Sequence, residues 1–145
     1  MGDLTANFSR AEFECKCGCG QNQVEEMLVD RLQLLRDLIQ VPITVSSGIR
    51  CATHNALMGG SANSQHLYGK AADIFTDLVP MYEVHDKAKI LFGDGGIGVY
   101  AGDDEFLHLD IRDGSARWGQ INGVAVGYHA AVAALEEGDG DAGMA

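Results

Sequence analysis

Two short stretches hold side chains that can do chemistry together. SQHLYGKAAD, residues 64–73, sets His66 and Asp73 seven positions apart around Gly69, and FLHLDIR, residues 106–112, sets His108 and Asp110 two apart. AADIF is apolar and β-prone, so Asp73 lies inside a buried strand, where an unpartnered carboxylate is costly. A cation is the most economical partner. In FLHLDIR strict alternation puts Phe106, His108 and Asp110 on one face and Leu107, Leu109 and Ile111 on the other. The leucine face goes to the core, and His108 and Asp110 look into a groove or solvent. Singly, a histidine on a strand is an ordinary hydrogen-bonding residue. With His66 and Asp73, His108 completes a two-imidazole, one-carboxylate set that leaves a tetrahedral zinc its fourth position for water. Zinc acidifies that water to a pKa of about 7.

The resulting hydroxide is a nucleophile, and a general base near it is still wanted. Glu105 stands three residues before His108, an odd step that would face it away in a regular strand. It can serve only if DDE is a turn entering the strand, as the preceding AGDD suggests; otherwise it is a solvated loop acid. His54, His85 and His129 fall in expected helices or beyond the core, and read as surface or hydrogen-bonding histidines. A histidine with H-x-D also describes a non-haem iron triad, but those sites belong to double-sheet barrels, which a chain opening with helices does not suggest.

CKCGCG places Cys15, Cys17 and Cys19 together, with Cys51 far downstream. Four thiolates can hold a second, structural zinc. The C-x-C-x-C spacing is tighter than the usual C-x-x-C knuckle, and small buried cysteines in a glycine-rich turn fit the same letters.

The elements that must position these groups are legible in outline. SRAE at 9–12 fits a capping box, and a short helix starts there. From residue 23 to 40, Val24, Met27, Leu28, Leu32, Leu35, Leu38 and Ile39 recur at helical steps, and Pro42 ends the run. ITVSS is a strand, CATHNALMGG a short helix, AADIF a strand and residues 81–92 a helix. GDGGIGVYAGDDEFLHLDIR is a hairpin. The acidic, glycine-rich EEGDGDAGMA predicts disorder. With no βαβ rhythm, the class is α+β: a small antiparallel sheet with flanking helices.

At 145 residues the chain makes about one domain, expected over 1–120 with a C-terminal extension over 121–145. A net charge of -11 with no basic patch argues against nucleic acid and against an anionic membrane surface. The start MGDLTANFSRAEF lacks a basic and apolar leader, so the expectation is synthesis in the cytoplasm, with another component delivering the protein to any target outside. A monomer is expected.

These residues resemble a known family. SSGIR at 46–50, CATHNALMGGSANSQHLYGKAADI, GGIGVY, FLHLDIR and RW at 117–118 are similar to the zinc D-alanyl-D-alanine peptidases of the M15 group, nearest its small carboxypeptidase-like and phage endolysin branch. The resemblance covers about residues 7–118 and includes S-x-H-x-x-G-x-A-x-D at Ser64 to Asp73. It implies the α+β fold shared with the hedgehog signalling domain. It also implies zinc on His66, Asp73 and His108, with Glu105 as general base. Arg50 is implied to bind substrate or steady an oxyanion, and Ser64 to contact substrate. Asp110 is expected to orient an imidazole. The implied substrate is a peptidoglycan stem peptide, cut at D-Ala-D-Ala or L-Ala-D-Glu, with phage-mediated release as one route to the wall. The rival reading is a zinc-binding module of the same fold that does not catalyse.

Overall fold

The structure is a computed structural model that describes residues 2–144, with side chains to residue 137. A 3-10 turn, Arg10–Phe13, opens it, and the Glu12 carboxylate accepts from the Ser9 amide at 2.6 Å. Helix α1 (Glu26–Ile39) follows and ends where Gln40 takes a left-handed φ of 61°, two residues before Pro42. Then come β1 (Thr44–Ser47), α2 (Ala52–Leu57), a 3-10 turn (Gln65–Tyr68), β2 (Ala71–Phe75), α3 (Met81–Leu91), β3 (Gly96–Ala101) and β4 (Phe106–Asp110). The chain continues through β5 (Ala116–Ile121), β6 (Val124–Val126) and α4 (Tyr128–Met144).

Among the described residues six strands lie in the order β1-β2-β4-β3-β5-β6. All pairs are antiparallel except β3 with β5, which run parallel. The departure from an all-antiparallel sheet has a topological cause. β4 returns along β3 and finishes opposite Gly96, and residues 111–115 pass round that end so that Ala116 pairs with Gly96 on the other side. β5 therefore enters from the end where β3 begins, with β4 as part of the crossover that parallel strands require. Arg117 pins this crossing by donating to the carbonyls of Gly95 at 2.7 Å and Gly93 at 2.9 Å.

One face of the sheet is the core. Ala72, Ile74, Ile97, Val99, Leu107 and Leu109 are fully buried there among residues of α1, α3 and α4. On α1 the buried stripe is Leu28, Val29, Leu32 and Leu35, while Met27 and Leu38 are about half exposed. The apolar positions wrap further round the helix than its contact surface does, so the expected stripe is too wide at its flanks. α4 brings Ala131 and Leu135 into the same core, so residues just past 120 complete the sheet and its cover. Its helical backbone continues to Met144, through the segment whose composition points to disorder.

His85 of α3 is buried against α4, and its Nε2 is hydrogen-bonded to the Tyr128 hydroxyl. Burial lowers its pKa from 6.5 to about 4, with Lys89 and Arg117 adding to the shift and Asp86 opposing it. Between those values the unfolded chain takes up a proton that the folded chain refuses, so stability falls as pH drops through that window. Urea midpoints at about pH 7 and about pH 5 check this: His85→Gln is expected to flatten the difference. An unchanged difference in the variant would assign the acid sensitivity elsewhere.

Candidate metal centre and the cleft above it

The face opposite the core holds the site. Asp73 on β2 lies directly across from His108 on β4, and antiparallel partners share a face. His66 arrives from the 3-10 turn before β2. The Ser64 hydroxyl caps that turn by accepting from the His66 amide at 3.3 Å, and Gly69 closes it at a φ of 68°. A Cβ on Gly69 would also meet the Gln23 carbonyl oxygen at 2.2 Å, so both conformation and space require glycine there.

His66 Nε2 and His108 Nδ1 each stand 3.2 Å from Asp73 Oδ1. Each ring spends its other nitrogen elsewhere. His66 Nδ1 lies 2.7 Å from the Gly48 carbonyl, which can only accept, so Nδ1 carries the hydrogen. His108 Nε2 lies 2.7 Å from Asp110 Oδ2, and it too is the donor. In neutral imidazoles the two nitrogens left facing Asp73 are then lone pairs. Two lone pairs and a carboxylate, all buried, converge as acceptors with no donor among them. Such a cluster demands a cation.

Zinc fits. Ligands about 2.0–2.1 Å from a tetrahedral zinc stand about 3.3–3.4 Å apart, close to the separations found. Without a metal a proton serves: burial alone would lower His108, but hydrogen bonds to Asp110 and Asp73 raise it. Burial pushes the Asp73 carboxyl up, yet hydrogen bonding with His108 and His66 when these rings carry the extra proton outweighs this and holds it well below the usual range.

Asp110 is completely buried and fully engaged. It accepts from the Gly96 amide at 2.9 Å and from Arg112 Nη2 at 2.7 Å as well as from His108. Burial raises its pKa, and the bonds from His108 and Arg112 reverse this to leave it ionised. This is the carboxylate–imidazole pairing that fixes a ligand's tautomer and raises its basicity. Gly96 makes it possible, since a Cβ there would lie 2.2 Å from Asp110 Oδ2.

A cleft of about 700 Å³ opens over these groups, within the range of ligand-binding pockets. Arg50 and Ser64 both line it. Arg50 bonds through Nη2 to Asp73 Oδ2 at 3.3 Å and through Nε to Ser47 Oγ at 3.1 Å, so its charge is held beside the Asp73 carboxylate. Glu105 is half-buried in the loop just before β4 and is not among the residues lining the cleft. Because the strand starts at Phe106, alternation does not bind Glu105 to the core face.

Sequence reading singled out no site role for Trp118, Tyr100 or Arg112. Trp118 packs on the His108 ring with centroids 4.8 Å apart and donates to the Tyr100 hydroxyl at 2.9 Å. Arg112 stacks over its indole at 5.2 Å. One signal was available: G-I-G on β3 puts two glycines on the site face, and strand glycines mark a close approach. A Cβ on Gly98 would lie 2.5 Å from the indole. The four cysteines are also brought together, with Cys51 directly after Arg50.

The geometry agrees with comparisons to known proteins. The family profile described as Peptidase M15 matches residues 6–110. Over 91 residues the chain is 36% identical to a zinc D-Ala-D-Ala carboxypeptidase of Streptomyces albus G, an alignment covering 58% of this chain and 34% of that protein. The chain thus matches about a third of that relative's length.

Proposed function

Because the chain belongs to the peptidase M15 family, we propose that it is a zinc metallopeptidase that hydrolyses peptidoglycan stem peptides, as a D-Ala-D-Ala carboxypeptidase or an L-Ala-D-Glu endopeptidase. The observation that carries the reading is the buried acceptor cluster of His66, Asp73 and His108 at the floor of an open cleft. The name of the Streptomyces relative supports both the metal and the substrate class.

When bound by those three residues, zinc supplies Lewis acidity toward a carbonyl and makes water a nucleophile at neutral pH. The chain's own groups do the rest. Glu105, on the loop leading into β4, takes the proton from the attacking water and returns it to the leaving amine. Arg50 offsets charge on the substrate's reacting oxygen or binds a substrate carboxylate, a use suited to its fixed charge beside Asp73. Ser64 contacts the peptide from the rim, and the Trp118 indole offers an apolar wall. Asp110 and Gly48 keep the two imidazoles in the ligating tautomer. The rival reading, a zinc module without catalysis, rests on Glu105 lying outside the cleft lining.

Incubation of zinc-loaded protein with purified muropeptides, followed by mass analysis, tests the proposal. Loss of a terminal D-alanine identifies the carboxypeptidase, and separation of the stem after L-alanine the endopeptidase. Intact stem peptides beside full metal occupancy would favour the inert module. Action at a cell wall, in the endolysin setting, goes with that substrate.

A further inference from the structure

The catalytic-type site leaves the four cysteines unused. Cys15 is buried, Cys51 is partly buried, and Cys17 and Cys19 are exposed, yet their sulfurs all lie within 4.8 Å of one another. We propose that Cys15, Cys17, Cys19 and Cys51 form a second metal site, a closed tetrathiolate zinc centre that clamps the N-terminal loop to the segment carrying Arg50.

The spacing suits an ion better than covalent bridges. Cys15 Sγ and Cys17 Sγ are 3.4 Å apart, and Cys17 Sγ and Cys51 Sγ 3.6 Å. Sulfurs about 2.3 Å from a tetrahedral zinc stand about 3.8 Å apart, whereas a disulfide needs about 2.0 Å. Thiolate donors in a closed set of four also select zinc over hard cations.

The backbone is arranged to serve such a centre. Gly18 and Gly20 take φ values of 86° and 87°, which lets the C-x-C-x-C run turn back on itself and aim alternate sulfurs to one point. The loop is closed by the Cys15 amide donating to the Gln21 carbonyl at 2.8 Å. Two amides point at sulfur: Cys51 N–H at Cys15 Sγ and His54 N–H at Cys51 Sγ, each 3.4 Å away. Donors of this kind stabilise ligating thiolates from the outer shell.

The position suggests what the clamp does. The Ile49 amide donates to the Phe13 carbonyl at 2.8 Å, and the Arg50 amide to the His66 carbonyl at 3.1 Å. Gly48 holds the His66 ring, and Cys51 closes the segment. Residues 48–51 therefore link the cysteine loop directly to the His66 turn. A metal on the four sulfurs would make the backbone that presents Arg50 and orients His66 rigid.

Metal analysis of full-length protein purified under reducing conditions tests this independently of any peptidase activity. Wild type is expected to hold two zinc ions per chain. Cys17→Ser with Cys19→Ser, at exposed positions, should hold one, and His66→Ala should also hold one, having lost the other. Cobalt substitution gives a second readout: thiolate-to-cobalt charge-transfer absorption should persist in His66→Ala and vanish in the double serine variant. If that variant does not fold, release of one zinc by a mercurial reagent from His66→Ala protein gives the same answer. A single zinc in wild type, lost entirely in His66→Ala, would overturn the proposal. So would a mass showing two disulfides, and iron on the sulfurs would overturn the choice of ion. Failure of the peptidase reading, with stem peptides left intact, would leave these metal counts unchanged.

Discussion

His108→Ala is expected to abolish hydrolysis and to remove the zinc held with His66 and Asp73, while a zinc on the four cysteines remains. The substitution deletes a nitrogen of the proposed ligand set at the centre of a network rather than at its edge. Asp73 loses one of its two imidazole partners at 3.2 Å, and Asp110 loses its bond to Nε2, leaving a buried carboxylate held by Arg112 and the Gly96 amide. Lewis acidity and acidified water together are worth several kcal/mol of barrier. At about 1.36 kcal/mol per decade this is a loss of about a thousandfold or more. Metal content by mass spectrometry and turnover of a purified muropeptide check it together. Full activity with the metal still bound would remove His108 from the ligand set.

Glu105→Gln is expected to keep both metal content and fold and to lose about 10²–10⁴ in kcat, the range a positioned general base contributes. The amide preserves the size of a half-buried side chain and removes its charge and its capacity to accept a proton at neutral pH. KM should change little, because substrate binding does not draw on that proton. The two substitutions separate the readings of this fold. An inert zinc module gives wild-type metal in Glu105→Gln with no turnover to lose, whereas full activity in the variant would move the base to another group.

Much of the site is legible before any folding is considered. The alternation in FLHLDIR assigns His108 and Asp110 to one face because a strand's side-chain period is two whatever surrounds it. A carboxylate inside AADIF announces a partner because burying it alone is costly. The hairpin and α1 follow from glycine turns and a helical apolar period. Other features could not be read in this way. Trp118 packs on His108 only because β5 crosses to the far side of β3 and lies parallel to it over Gly98. The width of the α1 stripe depends on how much of its surface the sheet and α3 cover, which leaves Met27 and Leu38 in water.

By itself the chain determines which atoms are available: two imidazoles, a strand carboxylate, an arginine and four thiols, on elements whose periods set the faces they occupy. Only the tertiary structure decides that these atoms meet. The register opposing Asp73 to His108, the Gly48 carbonyl that leaves His66 Nε2 unprotonated, and the Asp110–Arg112 pair behind His108 are contacts between distant segments. Local periodicity carries no record of distance between segments, because burial of the leucine face chooses the register and the polar face is carried along with it.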